Sequence, residues 1–234
     1  MLVTLAIALF TVAFAVLGNK LGGEFRSVSS QNGADSRIVI VIDAGHGGED
    51  GGAQSTDGIL EKDINLAIAK YLDDYLFLSG FETVMTRSDD RLLYGNGEQN
   101  RKKFYDVRNR AEIAKQYDNS IFVSIHQNKF PIEKYSGLQV YYSKNDPRSK
   151  TLANIIQSSV KEKLQPKNNR ETKAAGSNIY ILNNAESPAV LVECGFLSNG
   201  EEARKLNDKE YQKKLAFVIF TSVTEFCRTY NDTV

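Results

Sequence analysis

The chain has 234 residues, 41% of them hydrophobic and 25% charged, which suits one folded domain with a short extension and excludes a wholly disordered polymer. Its 29 Lys plus Arg balance its 29 Asp plus Glu, so no global field gathers nucleic acid and any attraction for a charged substrate has to be local. Two cysteines, Cys194 and Cys227, are too few for a disulfide framework and lack the paired spacing of a structural zinc knuckle.

Leu2 to Leu17 is an apolar run with no charge until Lys20. At 1.5 Å per residue it spans about 25 Å, the lower edge for a membrane helix, and Ala13-Phe14-Ala15 resembles a small-x-small cleavage step. Residues 1–18 are therefore expected to be a hydrophobic signal peptide or anchor that delivers the chain outside the cytoplasm. Residues 19–36, rich in Gly, Ser and Asn, read as a linker, and 37–234 as the working domain.

From there apolar runs alternate with helical patterns. The pattern predicts a strand at Ile38–Ile42, a helix at Glu61–Leu78, a strand at Glu82–Met85, a helix at Asp106–Tyr117 and a strand at Ile121–Ile125. In the first helix Ile64, Ala67, Ile68, Tyr71, Leu72, Tyr75 and Leu76 form one apolar stripe, which Gly80 ends. There follow a strand at Leu138–Tyr142, a helix near Ser149–Leu164, short strands at Asn178–Leu182 and Ala189–Glu193, and a final helix at Asp208–Tyr230. The expected fold is α/β: a mixed, largely parallel central sheet of about six strands with helices on both faces.

The only two histidines, His46 and His126, each follow an apolar strand. A strand end is where ligands gather on such a sheet, and imidazole is the commonest protein metal ligand. Asp43, at the first strand's end, either holds an imidazole N–H or forms the turn. Glu61 opens the first helix, where the helix dipole favours a carboxylate without any function. A loop's length from His46, it is also placed to complete a His₂Glu set. Glu193 closes the apolar run Ala189-Val190-Leu191-Val192, and a carboxylate there is either satisfied structurally or raised in pKa and suited to act as a general base. Asn128 is placed to hydrogen-bond substrate or ligands, or to cap its loop. Arg87 and Arg108 are candidates for holding a substrate carboxylate, and the polar segment Asp89 to Lys103 for rimming a cleft.

Taken together, Asp43-x-Gly45-His46-Gly47-Gly48, Glu61-Lys62-Asp63, Met85-Thr86-Arg87, Ser124-Ile125-His126-x-Asn128 and Val192-Glu193-x-Gly195-Phe196-Leu197-Ser198-Asn199 resemble the zinc-dependent N-acetylmuramoyl-L-alanine amidases of the amidase type 3 family. The resemblance covers nearly everything after Ile38. It implies that His46, Glu61 and His126 bind one catalytic Zn²⁺ and that Glu193 is the catalytic carboxylate; Asp106-Val107-Arg108 also has a counterpart. Ala44 stands where proline is common and Cys194 where a small or apolar residue is usual.

The short format, and the Leu60-Glu61-Lys62-Asp63 and Gly195 to Asn199 stretches, are most similar to the germination-specific spore-cortex amidases of endospore-forming bacteria. That likeness implies hydrolysis of the bond between N-acetylmuramic acid and L-alanine in cortex peptidoglycan, a first step toward the muramic δ-lactam needed for germination, in the developing spore's intermembrane space. The implied partners are glycan strands with stem peptides; a surface-open His₂Glu site that is incompletely loaded would also call for a protein activator that stabilises zinc binding. No nucleic acid is expected, and membrane contact only through residues 1–18. Two rival readings remain: Cys194 as a nucleophile with a histidine base, and a catalytically silent peptidoglycan-binding or activator module with the same fold.

Overall fold

The computed structural model describes residues 37–231, so the apolar run 1–18, the linker 19–36 and residues 232–234 lie outside the described residues. Six strands form one sheet: β1 (Val39–Ala44), β2 (Glu82–Met85), β3 (Ser120–Asn128), β4 (Gln139–Tyr142), β5 (Lys173–Ala174) and β6 (Ala189–Phe196). Their order is β2-β1-β3-β6-β4-β5, and every neighbouring pair is parallel except β4 with β6. The mixed, largely parallel six-stranded sheet expected from the sequence is what forms.

Among the described residues, six α-helices complete the domain: α1 (Glu61–Leu78), α2 (Lys102–Ala114), α3 (Arg148–Lys163), the single turn α4 (Tyr180–Asn183), α5 (Gly200–Leu206) and α6 (Lys209–Asn231), with a 3₁₀ turn at Gln99–Arg101 ahead of α2. Helix α1 buries Ile64, Ile68, Leu72 and Leu76, the stripe read from its period, against β1 and β3. Helices α1, α3 and α6 pack together over one sheet face, enclosing Ile40, Ile42, Ile121, Val123, Ile125, Val190 and Val192. The opposite face carries a smaller cluster, Val39, Val41, Phe122, Ala189 and Leu191, covered by residues of α2 and α4.

Three expectations need correction. Asn178–Leu182 is not a strand: Ile181 and Leu182 are both buried in succession, which suits the turn of α4, and the sheet edge is instead the two-residue β5. Helix α2 begins four residues earlier and ends three earlier than predicted; its N-cap, Arg101, offers no side-chain hydrogen bond that would mark the start. Helix α5 was not expected, although Asn199 caps it by accepting from the Glu202 N–H at 3.0 Å, a familiar start signal.

Candidate metal centre

Strands β1, β3 and β6 run parallel, so the residues at their carboxyl ends meet along one edge. His126 lies in register with Glu193, and Asp43 with Ser124. Glu61 comes from the start of α1, brought beside this edge by the loop that follows β1. His126 Nδ1 is 3.0 Å and His46 Nε2 3.3 Å from Glu61 Oε1, and each of the three residues offers a ligand atom within 4.8 Å of the others. Zinc bonds of about 2.0–2.1 Å at tetrahedral angles separate ligand atoms by roughly 3.3–3.4 Å, so this set of two imidazole nitrogens and a carboxylate oxygen fits such an ion.

The backbone is shaped around the three side chains. His46 sits in the left-handed region at φ 62°, a conformation costing about 1 kcal/mol or more in a non-glycine residue and found preferentially at functional sites. Close approach requires glycine at two positions: a Cβ on Gly45 would lie 2.2 Å from the His126 ring, and one on Gly52 would strike Glu61 Oε2 at 2.5 Å and the His46 ring at 2.7 Å. The loop is pinned at Gly48, whose N–H donates to Asp90 (2.7 Å) and whose carbonyl accepts from Lys62 Nζ (2.7 Å).

Glu61 is held by Ala53 N–H on Oε2 (2.7 Å) and Gln127 N–H on Oε1 (2.9 Å). Burial opposes its ionisation, but hydrogen bonds to His126 and His46 hold the carboxyl far below the usual range. Asn65, one turn along α1, donates to the Gly45 carbonyl (3.1 Å) and Glu61 Oε1 (3.3 Å) and accepts from Gln127 Nε2 (3.1 Å). His46 Nδ1 faces Asp50 Oδ2 at 2.8 Å, which leaves Nε2 for the cluster. Burial disfavours a charged imidazole at His46, yet the Asp50 and Glu61 carboxylates push its pKa up to about 9.

Glu193 projects into the same cleft, one strand over from His126. Its Oε2 is buried without a hydrogen-bond partner among the described residues. Burial first, then the Glu61 charge, raises its carboxyl to about 7 against the opposing pull of the two histidines. A base near neutrality with an unengaged oxygen suits proton transfer.

Asn128 lines the cleft of ≈ 660 Å³ that holds His46, His126 and Glu193. Asp43 is not the imidazole's partner. It accepts from Thr86 Oγ1 (2.7 Å), Ser124 Oγ (2.6 Å) and Arg110 Nη1 (2.8 Å), while Asp50 takes the place expected for it. Arg87 does not reach substrate either: its guanidinium is buried and donates to the carbonyls of Ala44, Gly45, Lys62 and Asp89. Arg108 is exposed, and α2 presents Lys103, Asp106, Val107 and Arg110 to the cleft instead.

Sequence reasoning missed Asp50, Asn65, Arg110 and Lys103. Asn65 and Arg110 each stand four residues past an acidic partner, Glu61 and Asp106, on a helix, a spacing that places them on one face and was open to reading. Cys194 points the other way along β6, fully buried in the three-helix core, and burial pushes its thiol up, so it has neither the exposure nor the thiolate a nucleophile requires.

The sequence matches the family described as N-acetylmuramoyl-L-alanine amidase over residues 40–225. It is 34% identical over 190 residues to the germination-specific N-acetylmuramoyl-L-alanine amidase of Bacillus subtilis, covering 80% of this chain and 79% of that protein. Among solved structures it is similar to the CwlD amidase of Clostridioides difficile in complex with the GerS lipoprotein, with TM-score 0.78 and 40% identity over 82% of this chain and 98% of that one. The amidase AmiC2 of Nostoc punctiforme also superimposes, with TM-score 0.70 and 31% identity over 84% of this chain and 99% of the other.

Proposed function

The chain belongs to the N-acetylmuramoyl-L-alanine amidase family, and from that premise we propose that its substrate is spore-cortex peptidoglycan and its cofactor a single zinc ion. It is a peptidoglycan amidase, and likeness to a relative described as a probable cell wall amidase supports action outside the cytoplasm. His46, His126 and Glu61 would hold the ion at the cleft. The observation that carries this reading is that these three residues converge beside a carboxylate, Glu193, with one buried oxygen unengaged.

When bound, zinc would polarise the lactyl carbonyl and acidify the attacking water. Glu193 accepts the water proton and returns it to the L-alanine amine as the amide breaks. Asp50 fixes the His46 tautomer, and the Ala53 and Gln127 N–H groups orient Glu61. Asn128, on the cleft wall, is assigned to substrate positioning.

Similarity to the germination-specific amidase of Bacillus subtilis supports the cortex, and with it the step toward muramic δ-lactam. Similarity to CwlD, solved with the GerS lipoprotein, supports a protein partner, to which we assign the role of an activator that stabilises zinc at this three-residue set. Residues 1–18 are assigned as export signal or anchor, 19–36 as linker and 37–234 as catalytic domain, working in the developing spore's intermembrane space. The test is digestion of purified cortex peptidoglycan with and without zinc, followed by mass analysis. Release of stem peptides beginning with free L-alanine only when zinc is present is the expected result; intact muramoyl-alanine bonds with zinc-loaded protein would refute the reading, and cleavage undiminished by chelator would refute zinc.

A further inference from the structure

The cleft is lined by charged side chains of both signs, but most are consumed internally. Arg110 is buried and spent on Asp43, Asp106 and the carbonyls of Ala44 and His46, and Asp106 also accepts from the Leu93 N–H at 2.7 Å. The cations that face solvent are Lys103, on the α2 wall, and Lys173, on the β5 wall. Lys103 stands out for its position. It lies in the first turn of α2 beside Lys102, with no acid in that turn, where the helix dipole disfavours positive charge. Such a departure from local preference is expected where function demands it.

Lys102 is engaged with Glu49 at 2.9 Å. Lys103 meets Asp50 at a longer 3.3 Å to either oxygen, with its side chain 69% exposed, while Asp50 keeps a shorter 2.8 Å contact to His46. The Lys103 ammonium can therefore turn to a second anion without releasing the histidine. It sits only two polar contacts and one imidazole ring away from the ligand cluster. A peptide advances about 3.5 Å per residue, so the second residue of a stem whose first residue is cut at the metal lies within roughly 7 Å of the scissile bond. Where that residue is a γ-linked glutamate without amidation, its α-carboxylate is free.

We propose that Lys103 is a specificity-determining residue that binds the free α-carboxylate of the second stem-peptide residue, the role for which Arg87 and Arg108 are wrongly placed. The inference rests on the amidase reading above. Binding is an exchange of ion-pair partners: the substrate carboxylate joins or replaces Asp50 at the ammonium, and Asp50 stays on His46. An exposed ion pair of this kind changes apparent affinity about two- to fivefold.

The experiment uses full-length, zinc-supplemented protein and two disaccharide-tetrapeptides that differ only in carrying α-carboxylate or α-carboxamide at the second residue. The wild type should cleave the carboxylate form with a KM about two- to fivefold lower. Lys103→Gln should abolish that ratio, Lys103→Arg should keep it, and Lys173→Gln, which removes the same charge from the other wall, should also keep it. Zinc content measured on each variant separates substrate contact from damage to the His46 loop. Equal treatment of both substrates by the wild type, or a Lys103→Gln variant that retains the ratio while losing zinc or rate, would overturn the assignment and leave the amidase reading standing. Failure of zinc-loaded wild type to cleave either substrate would overturn both.

Discussion

Alternate residues of the same three strands lead different lives. On the face toward α1, α3 and α6, β1 presents Ile40, Ile42 and Ala44, β3 presents Ile121, Val123 and Ile125, and β6 presents Val190, Val192 and Cys194, all buried in one apolar cluster. On the face toward α2 and α4 the sequence is graded: Val39 and Val41 give way to Asp43, Phe122 to Ser124 and His126, Leu191 to Glu193. A period of two lets one strand supply packing on one side and chemistry on the other. Three helices on the apolar face hold rigid what a thinner cover on the other leaves open to substrate. Changes on the cleft face should therefore remove function with little loss of fold, and changes on the packed face the reverse.

The largest effect belongs to the imidazoles. No other histidine exists to substitute, so His46→Ala or His126→Ala should leave no zinc by elemental analysis and reduce cleavage to background. Zinc retained at one per chain in either variant would break the assignment of the centre. Next comes Glu193→Gln, which keeps shape but removes the base. Cleavage should fall by about 10²- to 10⁴-fold with zinc content unchanged, and a fall below tenfold would remove Glu193 from proton transfer.

On the packed face, Leu72→Ala should destabilise the fold by about 2–5 kcal/mol in a denaturant titration while the folded fraction keeps its activity. Arg110→Met sharpens the comparison because Arg110 is on the cleft face yet serves the fold, holding Asp43 and Asp106 where all three are buried. Breaking that set should cost about 3–5 kcal/mol. Burial pushes the Asp43 carboxyl up, but Arg110 above all, with His126, Ser124 and Thr86, brings it below its ordinary value. A depressed carboxyl adds stability above its unfolded pKa of about 3.9, and that stability is lost as pH falls through the lower folded value. Arg110→Met should therefore unfold at a higher pH than wild type in an acid titration followed by circular dichroism.

Much of this was legible along the chain because it is local. A strand that ends in histidine, a carboxylate closing an apolar run and a helix opening on Glu61 each fit within a few residues, so the four central side chains and the alternating α/β order could be read. What escaped depends on the turn of the chain in space. Asp50 reaches His46 only because His46 adopts a left-handed conformation, which no spacing rule announces. Arg87 and Arg108 both read as arginines near a strand end or helix start, but the exit of β2 buries one under four carbonyls and the helical rotation of α2 turns the other away from the cleft. Strand β5, with two exposed residues, is too short to carry any period, while two adjacent apolar residues in α4 imitate a strand.

The smallest effect tests the comparison where its two faces lie closest, at the neighbours Glu193 and Cys194. Cys194 packs in the three-helix core, and its thiol contacts the Val192 carbonyl only weakly, at 3.7 Å. Behind the candidate metal ligands, Gln127 donates to Asn65 and its side chain also meets the Cys194 thiol. Cys194→Ala removes the thiol's polar contact with the Gln127 side chain and opens space for little more than one sulfur atom. The expected cost is about 1 kcal/mol, near the centre for single substitutions, with cleavage and zinc content at wild-type levels. A loss of activity in Cys194→Ala comparable to that in Glu193→Gln would return the thiol to the chemistry. It would mean that β6 does not keep its two faces apart, because a side chain aimed into the core would then be governing a reaction on the opposite side of the sheet.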